Sequence, residues 1–155
     1  MNNSGTLKNQ SSASRRKSRV VAFQTLYEID RVRHNPAHVF QNRLLESSLL
    51  PTAEQFAHKL IQGVLEKQPD IDKIITTHAP AWPINQMSVV DKNILRISIF
   101  EIVFNDDTPL KVSINEAVEL GKIFGTSNSP KFINGVLGSI SKTYNYKEIL
   151  NYGGY

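Results

Sequence analysis

The 155-residue sequence predicts an all-α fold. Three observations carry that expectation. Apolar residues recur three and four positions apart along most of the chain, the spacing of a helix face. No segment alternates apolar and polar residues as a half-buried strand does. The seven prolines, Pro36, Pro51, Pro69, Pro80, Pro83, Pro109 and Pro130, fall between the periodic segments, where helices would end or start. At ordinary helix lengths this gives about six or seven helices.

Each element has its own signature. Residues 1–14 are rich in Asn, Ser, Gln and Gly and are expected to be a disordered polar extension. A first helix follows, with Ala22, Leu26 and Ile29 in one stripe and Phe23 and Tyr27 beside it. Thr52 and Gln55 form a capping box ahead of Phe56, Leu60, Ile61, Val64 and Leu65. Ser88 reads as the N-cap of VVDKNILRISIFEIVF, a helix apolar almost all round and therefore central. Ser113 and Glu116 form a second capping box, with Ile114, Ala117, Val118, Gly121 and Phe124 on one face and Gly125 as the C′ residue. Ser129 and Pro130 read as N-cap and N1 of a last helix, with Ile133, Val136, Leu137 and Ile140 inward. In that helix Gly135 and Gly138 are expected to allow close helix approach. The stretch APAWPINQ, Ala79–Gln86, is the expected boundary between two small bundles, one over about 15–79 and the other over about 82–146, within one helical domain spanning 15–149. Trp82 should pack the halves together. Residues 150–155 read as a loose end.

Composition narrows the function. The formal net charge is +4, a modest excess. Cysteine is absent, which excludes disulfides, thiolate zinc sites and a cysteine nucleophile. The most apolar run, ILRISIFEIVF, carries Arg96 and Glu101 and is far shorter than the roughly 20 residues of a membrane span. The N-terminus has no secretory apolar region. A cytoplasmic protein without membrane contact is expected. Enzyme signatures are sparse. His34 and His38 have ligand-like spacing, but Pro36 between them breaks the helix that spacing needs. Asp106 and Asp107 stand in a turn composition. No glycine-rich phosphate loop or nucleophile elbow is present. The expectation is no catalysis, no metal and no cofactor.

Positive charge is concentrated instead. Arg15, Arg16, Lys17 and Arg19 crowd five positions at the expected start of the first helix, where cations oppose the macrodipole. Like charges so placed repel unless an anion neutralises them. Gln24 can hydrogen-bond a base or phosphate, and Tyr27 offers a stacking face. Cations along a backbone and planar side chains against bases are how single-stranded RNA is held. The alternative is a solubilising tail on an ordinary helix. A second candidate is GTSNSPKFINGVLGSI, where a polar loop enters a helix N-terminus that carries Lys131 and Phe132 in its first turn. Phe132 lies off the inward stripe, free either to stack on a base or to pack on the neighbouring bundle.

At these residues the sequence resembles the NusB family of bacterial transcription antitermination factors. The matching blocks are RRKSRVVAFQTLY, Trp82 followed by VVDKNILRISIFEI, VSINEAVELGKIFG and SPKFINGVL, spanning roughly Arg15 to Ser141. The resemblance implies two packed three-helix bundles, about seven helices, and no enzymatic activity. It implies binding of boxA RNA, a short single-stranded element of ribosomal RNA operon leaders, jointly with the small-subunit ribosomal protein NusE, in a complex that helps RNA polymerase resist termination. By position, Arg15, Arg16 and Arg19 match the arginine-rich RNA-binding start, with Lys17 among the expected RNA contacts and Gln24 and Tyr27 on the adjoining face. Lys131 and Phe132 match a second RNA-contacting patch, and Asp91 an acidic position on the surface that meets NusE. Arg96 is expected to make an internal ion pair. The loop TSNS before Pro130 lacks the acidic residue the family often has, so Asn128 is not carried over as a contact. Self-association through the partner surface, giving a homodimer, stays open. Two alternative functions remain at this point: a helical protein-interaction module without specific RNA binding, and the N-terminal RNA-binding domain of a ribosomal RNA cytosine methyltransferase, for which 155 residues leave no room for the catalytic domain.

Overall fold

Helices account for nearly all regular structure, and no strand occurs among the described residues. The computed structural model describes the backbone of residues 3–105 and 107–152 and the side chains of residues 12–105 and 107–144. In order the helices are α1 (Asn3–Val32), α2 (Pro36–Glu46), α3 (Pro51–His78), α4 (Val89–Ile99), α5 (Leu110–Phe124) and α6 (Ser129–Tyr152). A π-helical turn, Phe100–Phe104, continues α4. The all-α expectation holds, with six α-helices described where about seven were expected. One reason is Pro69, which was expected at a helix edge and lies inside the 28-residue α3. Proline has no N–H to offer the carbonyl four residues back, that of Leu65. By packing, the chain divides at that residue into two compact units, Met1–Leu65 and Glu66–Tyr155. The division therefore falls inside α3, upstream of the Ala79–Gln86 boundary expected from sequence.

In the first unit α1 begins at Asn3, so residues 3–14, expected to be disordered, are helical. The basic cluster sits in the body of a helix and not at its start. The turn into α2 is built by Asn35, whose Oδ1 accepts from the backbone N–H of Ala37 at 3.0 Å and of His38 at 3.4 Å, with Pro36 in the first turn. Glu28 ties α1 to α2 through Arg43 at 3.3 Å and also meets His34 at 3.5 Å. His34 and His38 are exposed, and no group of three metal-ligating side chains occurs among the described residues. The Thr52–Gln55 capping box does not form. Proline, with its φ already helical, starts α3 at Pro51 and leaves Thr52 inside the first turn. The Glu54 N–H reaches back to the Leu50 carbonyl at 2.9 Å.

In the second unit Ser88 does cap α4, its Oγ accepting the Asp91 N–H at 3.0 Å. Residues 93–101 are all buried, as a central helix requires. Two of its polar side chains bond within the unit, the Asn93 amide donating to the Val89 carbonyl at 2.8 Å and the Ser98 hydroxyl to the Ser113 carbonyl. The Arg96 guanidinium forks onto Asp72 of α3, with Nε–Oδ1 at 2.8 Å and Nη2–Oδ2 at 2.9 Å, the internal pair expected for it. The Thr108 hydroxyl donates to the buried Glu101 carboxylate at 3.1 Å. Asp107 is exposed, and Asp106 lies outside the described residues. The second capping box also fails. Helix α5 starts after Pro109, so Ser113 is buried inside the helix, and its carbonyl accepts the Ser98 hydroxyl at 3.3 Å. Glu116 is buried too.

Helix α6 begins at Ser129 itself. Its buried Oγ accepts the Thr126 N–H at 2.9 Å, while the Asn128 carbonyl takes the Phe132 N–H at 3.1 Å. The serine thus closes the loop from below instead of capping the helix. Gly125 ends α5 with φ −92, not in the left-handed region expected of a C′ glycine. Its small size matters for another reason: a Cβ there would collide with the Ser129 side chain and come within 2.8 Å of the Gly121 carbonyl. Gly135 and Gly138 do not bring helices together, since a Cβ on either meets nothing within 4 Å. The two kinds of glycine should respond oppositely to alanine. Gly125→Ala is expected to lower stability by about 1–3 kcal/mol through overpacking. Gly135→Ala should raise it by about 0.5–1 kcal/mol by restricting the unfolded chain. Paired thermal melts check both.

Candidate nucleic-acid interface

The first unit displays its cations on one helix face and hides others on another. Along α1, Arg15, Arg19, Ala22, Leu26 and Ile29 follow a 4–3–4–3 spacing, which is one helical stripe. Ala22 and Leu26 are buried on it, and so is Arg19, only 3% exposed. Two guanidinium groups of this stripe lie over the Phe56 ring of α3, Arg15 Cζ at 4.7 Å and Arg19 Cζ at 5.2 Å from its centroid. The Ser18 hydroxyl adds a hydrogen bond to the Ala53 carbonyl at 2.7 Å. The inner arginines are thus mortar between α1 and α3. Of the four cations expected at RNA, Arg19 is enclosed and Arg15 is half-buried on Phe56.

The other face carries Arg16, Lys17, Gln24 and Tyr27. Arg16 and Lys17 are exposed, and Gln24 and Tyr27 are half-buried. Helical spacing places all four within a third of the circumference, about three turns long. The Tyr27 ring leans on Phe23 at 6.0 Å between centroids, tilted by 41°, which fixes the ring without covering it fully. Two exposed cations at one end and an amide and a phenol at the other suit an extended polyanion with planar bases.

The second unit has a concave surface. Trp82, 55% exposed, meets Phe132 edge-to-face, with centroids 6.4 Å apart and planes at 77°. Together with Gln86, Met87, Ser88, Asp91 and Asn128 they line a cleft of about 330 Å³. Trp82, expected to pack the two halves together, is a wall of this cleft. Phe132 is half-buried and Lys131 exposed. Asn128, left out of the expected contacts because its loop lacks an acidic residue, lines the same cleft as Phe132. Asp91, expected on a protein-partner surface, lines the cleft from the first turn of α4.

Fold and surface define the class: an all-α protein with a basic, aromatic-bearing helix face and a separate aromatic cleft, the surfaces with which helical proteins meet single-stranded nucleic acid. Among the described residues no helix is long and apolar enough to cross a membrane. Comparison with known proteins gives the family. The NusB family model matches residues 16–142. The transcription antitermination protein NusB of Roseiflexus sp. (strain RS-1) is 46% identical over 132 residues, 84% of this chain and 93% of the relative. That of Dehalococcoides mccartyi (strain ATCC BAA-2266 / KCTC 15142 / 195) is 44% identical over 129 residues, 83% of this chain and 90% of the relative. The T. maritima NusB structure superposes with a TM-score of 0.81 at 35% identity, covering 88% of this chain and 96% of that one. A crystal structure of antitermination factors NusB and NusE in complex with dsRNA contains a chain that superposes at 0.79, with 29% identity and coverage of 85% and 98%. The chain belongs to the NusB family.

Proposed function

We propose that this protein is an RNA-binding transcription antitermination factor that binds boxA-type single-stranded RNA of ribosomal RNA leaders together with NusE and helps RNA polymerase resist termination. The observation that carries the reading is the outer face of α1, where Arg16 and Lys17 stand exposed in line with Gln24 and Tyr27. Support also comes from the curated relatives, named as transcription antitermination proteins, and from the superposable NusB in the structure with NusE and dsRNA. The protein acts by assembly, and its residues hold and orient RNA instead of transforming it. Cations of the outer face neutralise phosphates and release counterions. Tyr27 in the first unit and Phe132 in the second stack on unpaired bases, for about 1–3 kcal/mol each. NusE and RNA strengthen each other's binding by the same factor, because the coupling free energy is reciprocal.

Fluorescence anisotropy of a labelled boxA-like strand and of a scrambled strand, with and without NusE and at two salt concentrations, tests the proposal. Tighter binding of the boxA strand, strengthened by NusE and weakened by salt, is expected. Equal weak binding of both strands with no response to NusE would leave the charged face as a solubilising surface and overturn the reading.

A further inference from the structure

The outer face of α1 does not end at Tyr27. Helical spacing runs through Arg16, Val20, Gln24 and Tyr27 in steps of four, four and three, and reaches Arg31 one turn further on. Arg31 is exposed, and Val20, Gln24 and Tyr27 are half-buried between the two arginines. Arg16 and Arg31 stand about 22 Å apart along the helix axis, at 1.5 Å per residue. The face therefore has a cationic pole at each end. Arg33 adds to the second pole. It is exposed, lies just past the end of α1, and has φ 54, the one positive φ among the described residues. Its N–H closes the helix on the Ile29 carbonyl at 3.0 Å. Glycine fills such a left-handed position without strain, and arginine does not.

An arginine in the last turn of a helix has an ordinary explanation, since it complements the negative end of the macrodipole. That explanation covers Arg31 but not Arg33, which lies beyond the helix in a strained conformation. The neighbouring acids are engaged with other groups. Glu28 meets Arg43 at 3.3 Å and His34 at 3.5 Å, and Asp30 is half-buried with a partner of its own. Arg31 stands four residues after Tyr27, so the two are neighbours on the helix surface. A base stacked on Tyr27 brings the next phosphate of its strand toward Arg31, with Arg33 beyond the helix end. An acidic peptide would also meet the cations, but it makes no use of the phenol and amide that join the two poles. A strand that alternates phosphates and planar bases uses both.

We infer that Arg31 and Arg33, at the turn between α1 and α2, form a second phosphate clamp, so that a single RNA strand is held at both ends of the outer face of α1. This rests on the RNA-binding reading above and adds to it a second anchoring point and a longer footprint on the first unit.

The full-length protein is titrated, by anisotropy, with a labelled boxA-like strand carrying uridine flanks and with the same strand shortened stepwise from either end. Arg31→Gln is expected to weaken binding of the longest strand about tenfold, the scale of one charged hydrogen bond, and to make the log–log salt slope shallower by about 0.7. Arg31→Lys, which keeps the charge, should keep the slope. Arg33→Gly should also weaken binding, yet melt at or above the temperature of the parent because glycine relieves the positive φ. A residue that only closes the helix would leave RNA affinity unchanged in that variant. Shortening the strand from one end should abolish the effect of both substitutions, while Arg16→Ala combined with Lys17→Ala still weakens the shortened strand. Parental affinity and slope for Arg31→Gln and Arg33→Gly on every strand overturn the clamp and leave the RNA-binding function standing. A loss of equal size on strands of every length overturns the longer footprint. Loss of NusE affinity with RNA affinity intact makes the turn a protein contact and overturns the inference as well. No binding of any strand by the parent overturns both proposals.

Discussion

Asp72→Ala is expected to lower the stability of the folded chain by about 3–5 kcal/mol, the usual cost of stripping the partner from a buried ion. The expectation follows from the asymmetry of the pair. The Arg96 side chain is 6% exposed and that of Asp72 26%. Removing Asp72 takes away both bonds of the fork, at 2.8 and 2.9 Å. Water has little access to the charge that remains. The reciprocal change should be milder. Arg96→Met keeps an apolar stem of similar length in the core and leaves a carboxylate that water can reach, for about 1–3 kcal/mol. Urea unfolding of both variants tests the argument. A larger loss for Arg96→Met than for Asp72→Ala would show that side-chain packing, not the stranded charge, dominates at this site.

The second large effect concerns RNA. Arg16→Ala combined with Lys17→Ala should weaken RNA binding by about 3 kcal/mol, roughly a hundredfold, taking about 1.5 kcal/mol for each charged contact to a phosphate. With Arg19 enclosed, two or three cations of the cluster are left to meet phosphates. Their share of the log–log salt slope should therefore be roughly −1.4 to −2.1 and fall by about 1.4 in the double variant, at about 0.7 per phosphate on single strands. Its melting temperature should stay close to that of the parent, because exposed substitutions usually stay within about 0.5 kcal/mol. Arg19→Ala should do the reverse and cost stability first, since its stem and guanidinium are packed over Phe56. A double variant that bound RNA with unchanged slope would remove the outer face of α1 from the interface.

Much of the site is legible in the order of residues alone. The four cations, Gln24 and Tyr27 stand out by composition and spacing. Even the sorting of the cations is present there: Arg15 and Arg19 extend the stripe of Ala22, Leu26 and Ile29, and a helical stripe that is buried at one end tends to be buried along its length. Reading the four as one charged patch passes over that geometry. Other misses have different causes. Both failed capping boxes follow a proline, Pro51 at the first position of α3 and Pro109 just before α5. The local Ser/Thr signal downstream is then overridden.

What the sequence determined by itself was the class of structure and the inventory of chemistry. Periodicity fixes helices because burial must repeat every 3.6 residues. The Ser88 cap and the buried face of α4 follow from rules that act over one or two turns. The tertiary structure decided what depends on neighbours distant in sequence. It placed two arginines over Phe56, opened Trp82 against Phe132, and made room for Gly125 beside Ser129 while leaving Gly135 in open space. It also left one oxygen of Asp91 enclosed at the edge of a cleft. None of these follows from local spacing, because each is set by which side chain arrives from another helix and how closely the two backbones approach.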